Sequence, residues 1–307
     1  MTPQPPEKRD KDAGRWSDLD RPPLNAGALR RALVRPGSLW SSLEVVPVTG
    51  STNTDLAARA GSLTEGAVLV AEEQSAGRGR LDRRWSAPPR SGLFLSVYLT
   101  PRVPHDRWGW LPLLTGVATA SAVARCAGVD TALKWPNDLL VTCPEDSDEL
   151  RPGETPVGTE RKVGGILAER AADGVVVGIG INVSLTPAEL PVPTAGSLAL
   201  AGARNTDRDP LLRAVLRSLE HWYGAWQEAN GDPGASRLQE AYAAGCATLG
   251  RSVRAQLPGD ESLQGEAVAL DADGRLVLAT EDGVQRPVAA GDIIHLRPTS
   301  GDGYSAP

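Results

Sequence analysis

The chain has 307 residues, 41% of them hydrophobic and only 4% aromatic, with a formal net charge of −6. That length suits one large and one small domain with cores of Val, Leu, Ile and Ala, and the acidic balance argues against nucleic acid as the main partner. No apolar run reaches the length of a membrane span and the polar, Pro-rich opening has no signal-peptide core; Cys126, Cys143 and Cys246 form neither a disulfide framework nor a zinc pattern, so a reduced, cytoplasmic setting is expected.

Residues 1–24 read as a disordered tail. A short helix is expected over 25–36, ended by Pro36, then a strand over 43–48. Ser51 or Thr52 caps a helix that closes at Gly61. A buried strand follows over 66–74, then a long Gly/Arg/Pro loop over 76–92 and a strong strand over 93–100. The longest helical pattern is 110–128. ALKWPNDLLV (132–141) reads as strand, turn and strand, and the acidic stretch 143–161 as a flexible hairpin loop. Two more strands (162–170, 174–184) and two helices (210–230, 234–246) complete a mixed sheet backed by helices. After 247 the texture changes to short alternating strands split by turns such as Asp273–Gly274 and Asp282–Gly283, which suggests a small β-barrel. The fold class is therefore α+β, with a catalytic domain at 25–246, an all-β domain at 247–298 and a tail at 299–307.

Cation choice points to chemistry. Among 32 Lys and Arg, lysine stands only at 8, 11, 134 and 162. Two of these lie in the tail; Lys134 and Lys162 lie in motif-rich segments, where a compact ammonium rather than a guanidinium suggests a specific need. The loop Gly77-Arg78-Gly79-Arg80-Leu81-Asp82-Arg83-Arg84-Trp85 gathers four guanidiniums, two glycines and a flat aromatic, a composition suited to an anionic ligand with a base to stack. A solvated basic loop or a nucleic-acid arm has the same composition. There is no P-loop and no dinucleotide fingerprint, so a nucleotide would be held another way. GIGIN (178–182) places glycines at alternate strand positions, where a ligand can lie against the backbone. Ser51-Thr52-Asn53 opens a helix with free N–H groups and hydroxyls, Gln74 ends a strand, and Lys134-Trp135-Pro136-Asn137-Asp138 sets a cation and a carboxylate in one rigid turn.

Taken in order, STN, QSAGRGR with its Trp, KWPNDL, RKVGGIL and GIGINV resemble biotin–protein ligases over about residues 43–298, in the monofunctional type that lacks a DNA-binding domain. The resemblance implies a class II aminoacyl-tRNA-synthetase-like catalytic domain, shared with lipoyl ligases, followed by an SH3-like β-barrel. It implies that Ser51, Thr52, Asn53 and Gln74, with the backbone of Gly77, Arg78 and Gly79, bind the ureido end of biotin. Trp85, Gly164, Gly165, Gly178 and Gly180 then wall the biotin and adenine pockets, with Asn182 on the adenine side. Arg78, Arg80 and Arg83 belong to a loop, mobile when empty, that closes over the adenylate. Lys162 lies by the biotin carboxylate and α-phosphate, and Lys134, Asn137 and Asp138 at the phosphate, metal and acceptor end. Leu81-Asp82 departs from the family's usual small or basic pair, and some forty residues before the first catalytic strand are too few for a winged helix.

The implied activity is ATP-dependent formation of biotinyl-5'-AMP, then transfer of biotin to a lysine of a biotin carboxyl carrier protein domain. ATP with Mg²⁺ and biotin are substrates, no tightly bound prosthetic group is expected, and the chain would be a monomer or weak homodimer without nucleic acid or membrane partners. Lys162, Arg80, Lys134 and Asp138 are the expected catalytic groups, Asp138 to orient or deprotonate the acceptor amine. The alternatives are a lipoate or octanoate ligase, a biotin-responsive regulator, or a binding module without catalysis.

Overall fold

The computed structural model describes residues 21–143, 159–257, 261–289 and 291–296, and the backbone alone of Asp82. Most of the expected N-terminal tail, nearly all of the acidic 143–161 stretch and the tail after 298 lie outside the described residues.

Apolar strands, the central ones buried on both faces, build a seven-stranded sheet from β1 (Ser42–Val46), β2 (Ala67–Ala71), β5 (Gly92–Leu99), β6 (Thr131–Lys134), β7 (Asp138–Cys143), β8 (Thr159–Ala171) and β9 (Gly174–Asn182). Its order is β1-β2-β5-β9-β8-β7-β6. Only β1 and β2 run parallel, joined through α2 (Thr52–Arg59); the other neighbours are antiparallel. Each strand turns alternate residues to alternate faces. Leu95, Val97, Ile166, Val177, Ile179 and Ile181 face the main core beneath α3 (Trp110–Ala127) and α4 (Arg208–Glu228). Leu69, Tyr98 and Val176 face a smaller cluster with Leu56 of α2.

The stretch His105–Ala127 is long and apolar enough to cross a membrane by composition, yet 67% of it is buried in the fold, and α3 is the central core helix. It ends at Gly128, whose left-handed backbone (φ 68°) closes the last turn with N–H to Ala124 O at 3.2 Å. Helix α1 (Ala26–Leu33) packs on α4 and β1. Residues 21–24, grouped with the tail in the sequence reading, are tied down instead: Arg21 pairs with Glu189 at 2.6 Å, and the N–H of Leu24 donates to Glu72 Oε1 at 2.6 Å. Glu72 in turn pairs with Arg208 at 2.7 Å, the two side chains only 10% and 5% exposed.

After α5 (Leu238–Gly245), strands β10 (Ser252–Gln256), β11 (Ser262–Leu270), β12 (Leu276–Ala279), β13 (Gln285–Val288) and β14 (Asp292–His295) form an antiparallel sheet ordered β13-β12-β11-β10-β14. It docks on the catalytic unit through buried polar contacts. The backbone N–H of Trp135 donates to Thr248 Oγ1 at 3.1 Å and its indole N–H to Gly274 O at 3.0 Å. The indole of Trp110 donates to Ala272 O at 2.8 Å.

Candidate functional site

The site lies on the sheet face opposite α3, where the strands run out of side chains. Gly180 of β9 pairs with Gly165 of β8, which pairs with Asp138 of β7, so two adjacent strands present bare backbone beside a carboxylate. Trp85 lies on that bare patch. A Cβ on Gly180 would stand 3.1 Å from its ring, and one on Gly165 3.2 Å. Gly164 faces the other way, toward Leu139. Trp85 comes from a hairpin of β3 (Gly77–Arg78) and β4 (Arg84–Trp85), so the segment expected as an irregular loop has two strand rungs. Gly79 N–H closes its turn on Arg83 O at 2.7 Å, and Leu81 takes the left-handed region (φ 54°, ψ 42°), which a residue with a Cβ adopts at a cost.

One end of this face is polar and buried. Ser51 caps α2, its hydroxyl accepting from Thr54 N–H at 3.4 Å. Gln74 Oε1 accepts from the N–H of Thr52 at 2.8 Å and from its hydroxyl at 3.1 Å. Ser96 donates toward Thr52 Oγ1 (2.7 Å) and Asn53 Oδ1 (2.6 Å), and Asn53 Nδ2 reaches Glu169 Oε2 at 2.9 Å. Asn53 fits only because position 178 is glycine: a Cβ there would fall 2.1 Å from its Oδ1. Gly77 carries Gln74 Nε2 within 3.1 Å of its Cβ direction, so the hairpin and the helix cap meet at Gln74.

The opposite end is charged. Lys162 Nζ stands 2.5 Å from Asp138 Oδ1 and 5.6 Å from the centre of the Trp85 ring. A bulge makes this possible. The β7–β8 register shifts between Leu139, opposite Gly164, and Leu140, opposite Lys162. The extra residue, Val163, is fully buried in the main core. Were Val163 paired in a regular ladder, strict alternation would send Lys162 to the core face; because Val163 bulges out, the ammonium joins Gly165 and Asp138. Asn137 is fixed by exchange with Ile166, Nδ2 to its carbonyl at 2.9 Å, and accepts from Arg80 at 3.3 Å through Oδ1. Burial lowers the pKa of Arg80, while the charges of Asp292 and Asp138 oppose that fall. Asn182 is 4% exposed; its Nδ2 donates to Gly196 O at 2.9 Å, and its buried Oδ1 has no partner among the described residues.

Three loop arginines are thus held from three elements: Arg78 by Glu169 of β8 at 3.0 Å, Arg80 by Asn137, and Arg83 by Asp292 of β14 (Nη1 to Oδ1, 3.3 Å). The bond to Asp292 raises the Arg83 pKa. Lys134 pairs across from Asp138 in the β6–β7 hairpin, but its charge is felt by Glu160 and His295 at the seam with the second sheet. It stands beside the Lys162 corner rather than in it. Ser96, Glu169 and Asp292 escaped the sequence reading: each is an ordinary polar strand residue whose partner is 43 to 209 positions away.

A model described as the biotin/lipoate A/B protein ligase family matches residues 45–185, and one described as the biotin protein ligase C terminal domain matches 248–296. The chain is 42% identical over 286 residues to the biotin--[acetyl-CoA-carboxylase] ligase of Mycobacterium tuberculosis, covering 91% of this chain and 98% of that protein. It is 30% identical over 258 residues to the bifunctional ligase/repressor BirA of Escherichia coli, covering 82% of this chain and 73% of that protein. Among solved structures, the biotin protein ligase from Aquifex aeolicus in complex with biotin and ATP is similar at a TM-score of 0.66 and 26% identity, over 84% of this chain and 100% of that one. That from Leishmania major in complex with biotinyl-5-AMP shares the fold at a TM-score of 0.52 and 22% identity, over 81% and 99%. The two matched regions fall on the two sheets, and the motifs of the first converge on one glycine-floored face: the chain belongs to the biotin protein ligase family.

Proposed function

We propose that biotin and ATP meet against Trp85, which covers the Gly165–Gly180 patch, with the reacting carboxylate and α-phosphate at Lys162. The chain is an ATP-dependent ligase that forms biotinyl-5'-AMP and passes biotin to an acceptor lysine. The observation that carries the site assignment is the single ammonium of Lys162, turned by the Val163 bulge onto bare strand backbone between Trp85 and Asp138.

In the first half-reaction the biotin carboxylate attacks the α-phosphorus and pyrophosphate leaves. Charge grows on the phosphate oxygens, and fixed cations placed there lower the barrier. Lys162, Arg80 and Arg83 supply them, and holding two anions together is the other large contribution. Ser51, Thr52, Asn53 and Gln74, with the backbone of Gly77, Arg78 and Gly79, take the ureido end. Trp85, seated on Gly165 and Gly180, and Asn53, seated on Gly178, form the wall of the pocket, while Gly164 faces Leu139 on the other side of the sheet and is withdrawn from the binding set. The unpartnered Oδ1 of Asn182 suits an amino group such as that of adenine. In the second half-reaction Asp138, freed when Lys162 turns to the ligand's anions, orients the acceptor amine and takes its proton. Lys134 extends the positive charge at that end.

Mg²⁺ bound with the triphosphate would supply charge neutralisation of its oxygens. Asp138 and Asn137 are oxygen donors at that end, which fits an ion bound mainly by phosphate and water with one or two protein ligands. No group of three or more metal-binding side chains occurs among the described residues. The finer fold assignment goes with this reading: a class II aminoacyl-tRNA-synthetase-like catalytic unit and an SH3-like second sheet. So do a biotin carboxyl carrier protein domain as acceptor, a cytoplasmic setting, and a monomer or weak homodimer that does not bind DNA. Lipoate as the natural acid is not favoured, because the second sheet matches the biotin ligase C-terminal domain.

The test is transfer of labelled biotin to a purified carrier domain, with and without ATP, with lipoate as competitor. ATP-dependent labelling, lost in Lys162→Ala and indifferent to lipoate, is expected. Labelling without ATP, or none by well-folded protein, would overturn it.

A further inference from the structure

The two arginines nearest the expected phosphates are already facing an anion, and that anion belongs to the second sheet. Asp292 opens β14, outside every motif, and its carboxylate holds Arg83 from a position 209 residues away in sequence. The same carboxylate is one of two acids whose charge supports the half-buried Arg80, the other being Asp138. Lys162, the third cation, is paired with Asp138. Lys162, Arg80 and Arg83 are therefore each matched by a carboxylate or amide of the protein itself.

We propose that Asp292 is a positioning residue for adenylate formation: it stands in for the polyphosphate while the site is empty, holding Arg83 and with it the 77–85 hairpin over the glycine floor, and releases the guanidinium when ATP arrives. This rests on the assignment of Arg83 to the nucleotide. The geometry suits a contact meant to be exchanged. Arg83 is 60% exposed and Asp292 31%, so the pair is weak, screened by salt, and replaced at little cost by a more highly charged anion. A buried pair such as Glu72–Arg208 could not be exchanged in this way. The other end of the hairpin is held by Glu169 through Arg78, on the biotin side, so the two tethers divide between the two substrates. The second sheet thereby senses occupation of the nucleotide site directly.

The experiment is hydrogen exchange of amides 77–85 in the full chain, comparing wild type, Asp292→Asn, Arg83→Gln and the double variant. It is run at low and high salt, alone and with a non-hydrolysable biotinyl-AMP analogue plus pyrophosphate. Without ligand at low salt, each single variant should exchange about two- to five-fold faster than wild type, the span of an exposed ion pair. The double variant should go no further than either single one, and high salt should bring wild type to the same rate. With ligand bound, Asp292→Asn should match wild type, because the ligand has taken over Arg83. Unchanged exchange in the empty Asp292→Asn protein overturns the proposal, as does an acceleration that persists with ligand bound. The ligase assignment fails separately, by absence of ATP-dependent labelling in wild type.

Discussion

Lys162 and Asp138 face each other at 2.5 Å across adjacent strands, on the side of the sheet that carries no other charged pair between β7 and β8 among the described residues. Asp138 stands opposite Gly165, so the two charges border the glycine patch at the edge of the Trp85 ring. Replacing Lys162 with Ala should lower the rate of biotinyl-AMP formation by about 10²–10³-fold, the usual effect of losing one preorganised charge at a developing oxyanion. Arg should not restore it, because a planar fork cannot take the place of a compact ammonium above Gly165. Single-turnover formation of labelled adenylate is the measurement. Transfer from pre-formed biotinyl-AMP should suffer much less.

Gly178→Ala is expected to act on biotin rather than on ATP. The new methyl would displace Asn53, whose amide links Ser96 to Glu169 and so to Arg78. Displacement by about 1 Å at a binding group commonly costs up to a hundredfold. The KM for biotin should rise by about ten- to a hundredfold with a smaller change for ATP, measured by steady-state labelling at varied biotin and fixed, saturating ATP.

The Glu72–Arg208 pair should carry stability rather than chemistry. Arg208→Ala would leave the Glu72 carboxylate buried with only the Leu24 N–H for company, and would remove donors to Pro22 O (2.6 Å) and Gly92 O (3.2 Å). Breaking one partner of a buried pair costs about 3–5 kcal/mol. Urea unfolding should report that loss. Replacing both residues with apolar ones of similar volume should recover much of it.

His295 predicts an acid-side loss of stability. Its ring is held between Thr248 Oγ1 and an Arg251 N–H, each at 3.2 Å, with Lys134 close enough to be felt and Glu160 opposing. An Arg donor on Nδ1 requires that nitrogen to be unprotonated. Burial and the two cations push its pKa down from 6.5 to about 4. The unfolded chain therefore binds a proton that the folded chain refuses between those values, and the stabilisation present above pH 6.5 is lost as pH falls toward about 4. In His295→Gln the unfolding midpoint should fall less between pH 7 and pH 5 than it does in wild type.

Much of this architecture was legible because the strands stand out as buried apolar runs or as alternation, and several helices by their caps. The Ser51 cap, the 110–127 helix, the KWPND hairpin and the second sheet's turns stand where local signals put them. The site was legible as motifs, not as an arrangement. The direction of Lys162 depends on one extra residue in β8, which alternation cannot reveal, since Val163 looks as apolar as any strand residue. The partners of the loop arginines were hidden for a different reason. Glu169 and Asp292 are common surface types, and nothing local records that a guanidinium from far along the chain will reach them. Residues 21–24 were grouped with the tail by composition, whereas a long-range acid, Glu72, holds them.

The contacts of Trp135 set a limit on how this chain can be divided. Its backbone N–H and its indole N–H both end on atoms of the second sheet and its approach, Thr248 Oγ1 and Gly274 O, while the ring itself is 2% exposed. A fragment stopped at residue 247 would strip both acceptors from a tryptophan two residues before Asn137 and three before Asp138. Such a truncation would therefore loosen the turn that carries Asn137 and Asp138 while leaving the segments from STN to GIGINV in place, and a shortened chain that keeps this turn has to run through the second sheet.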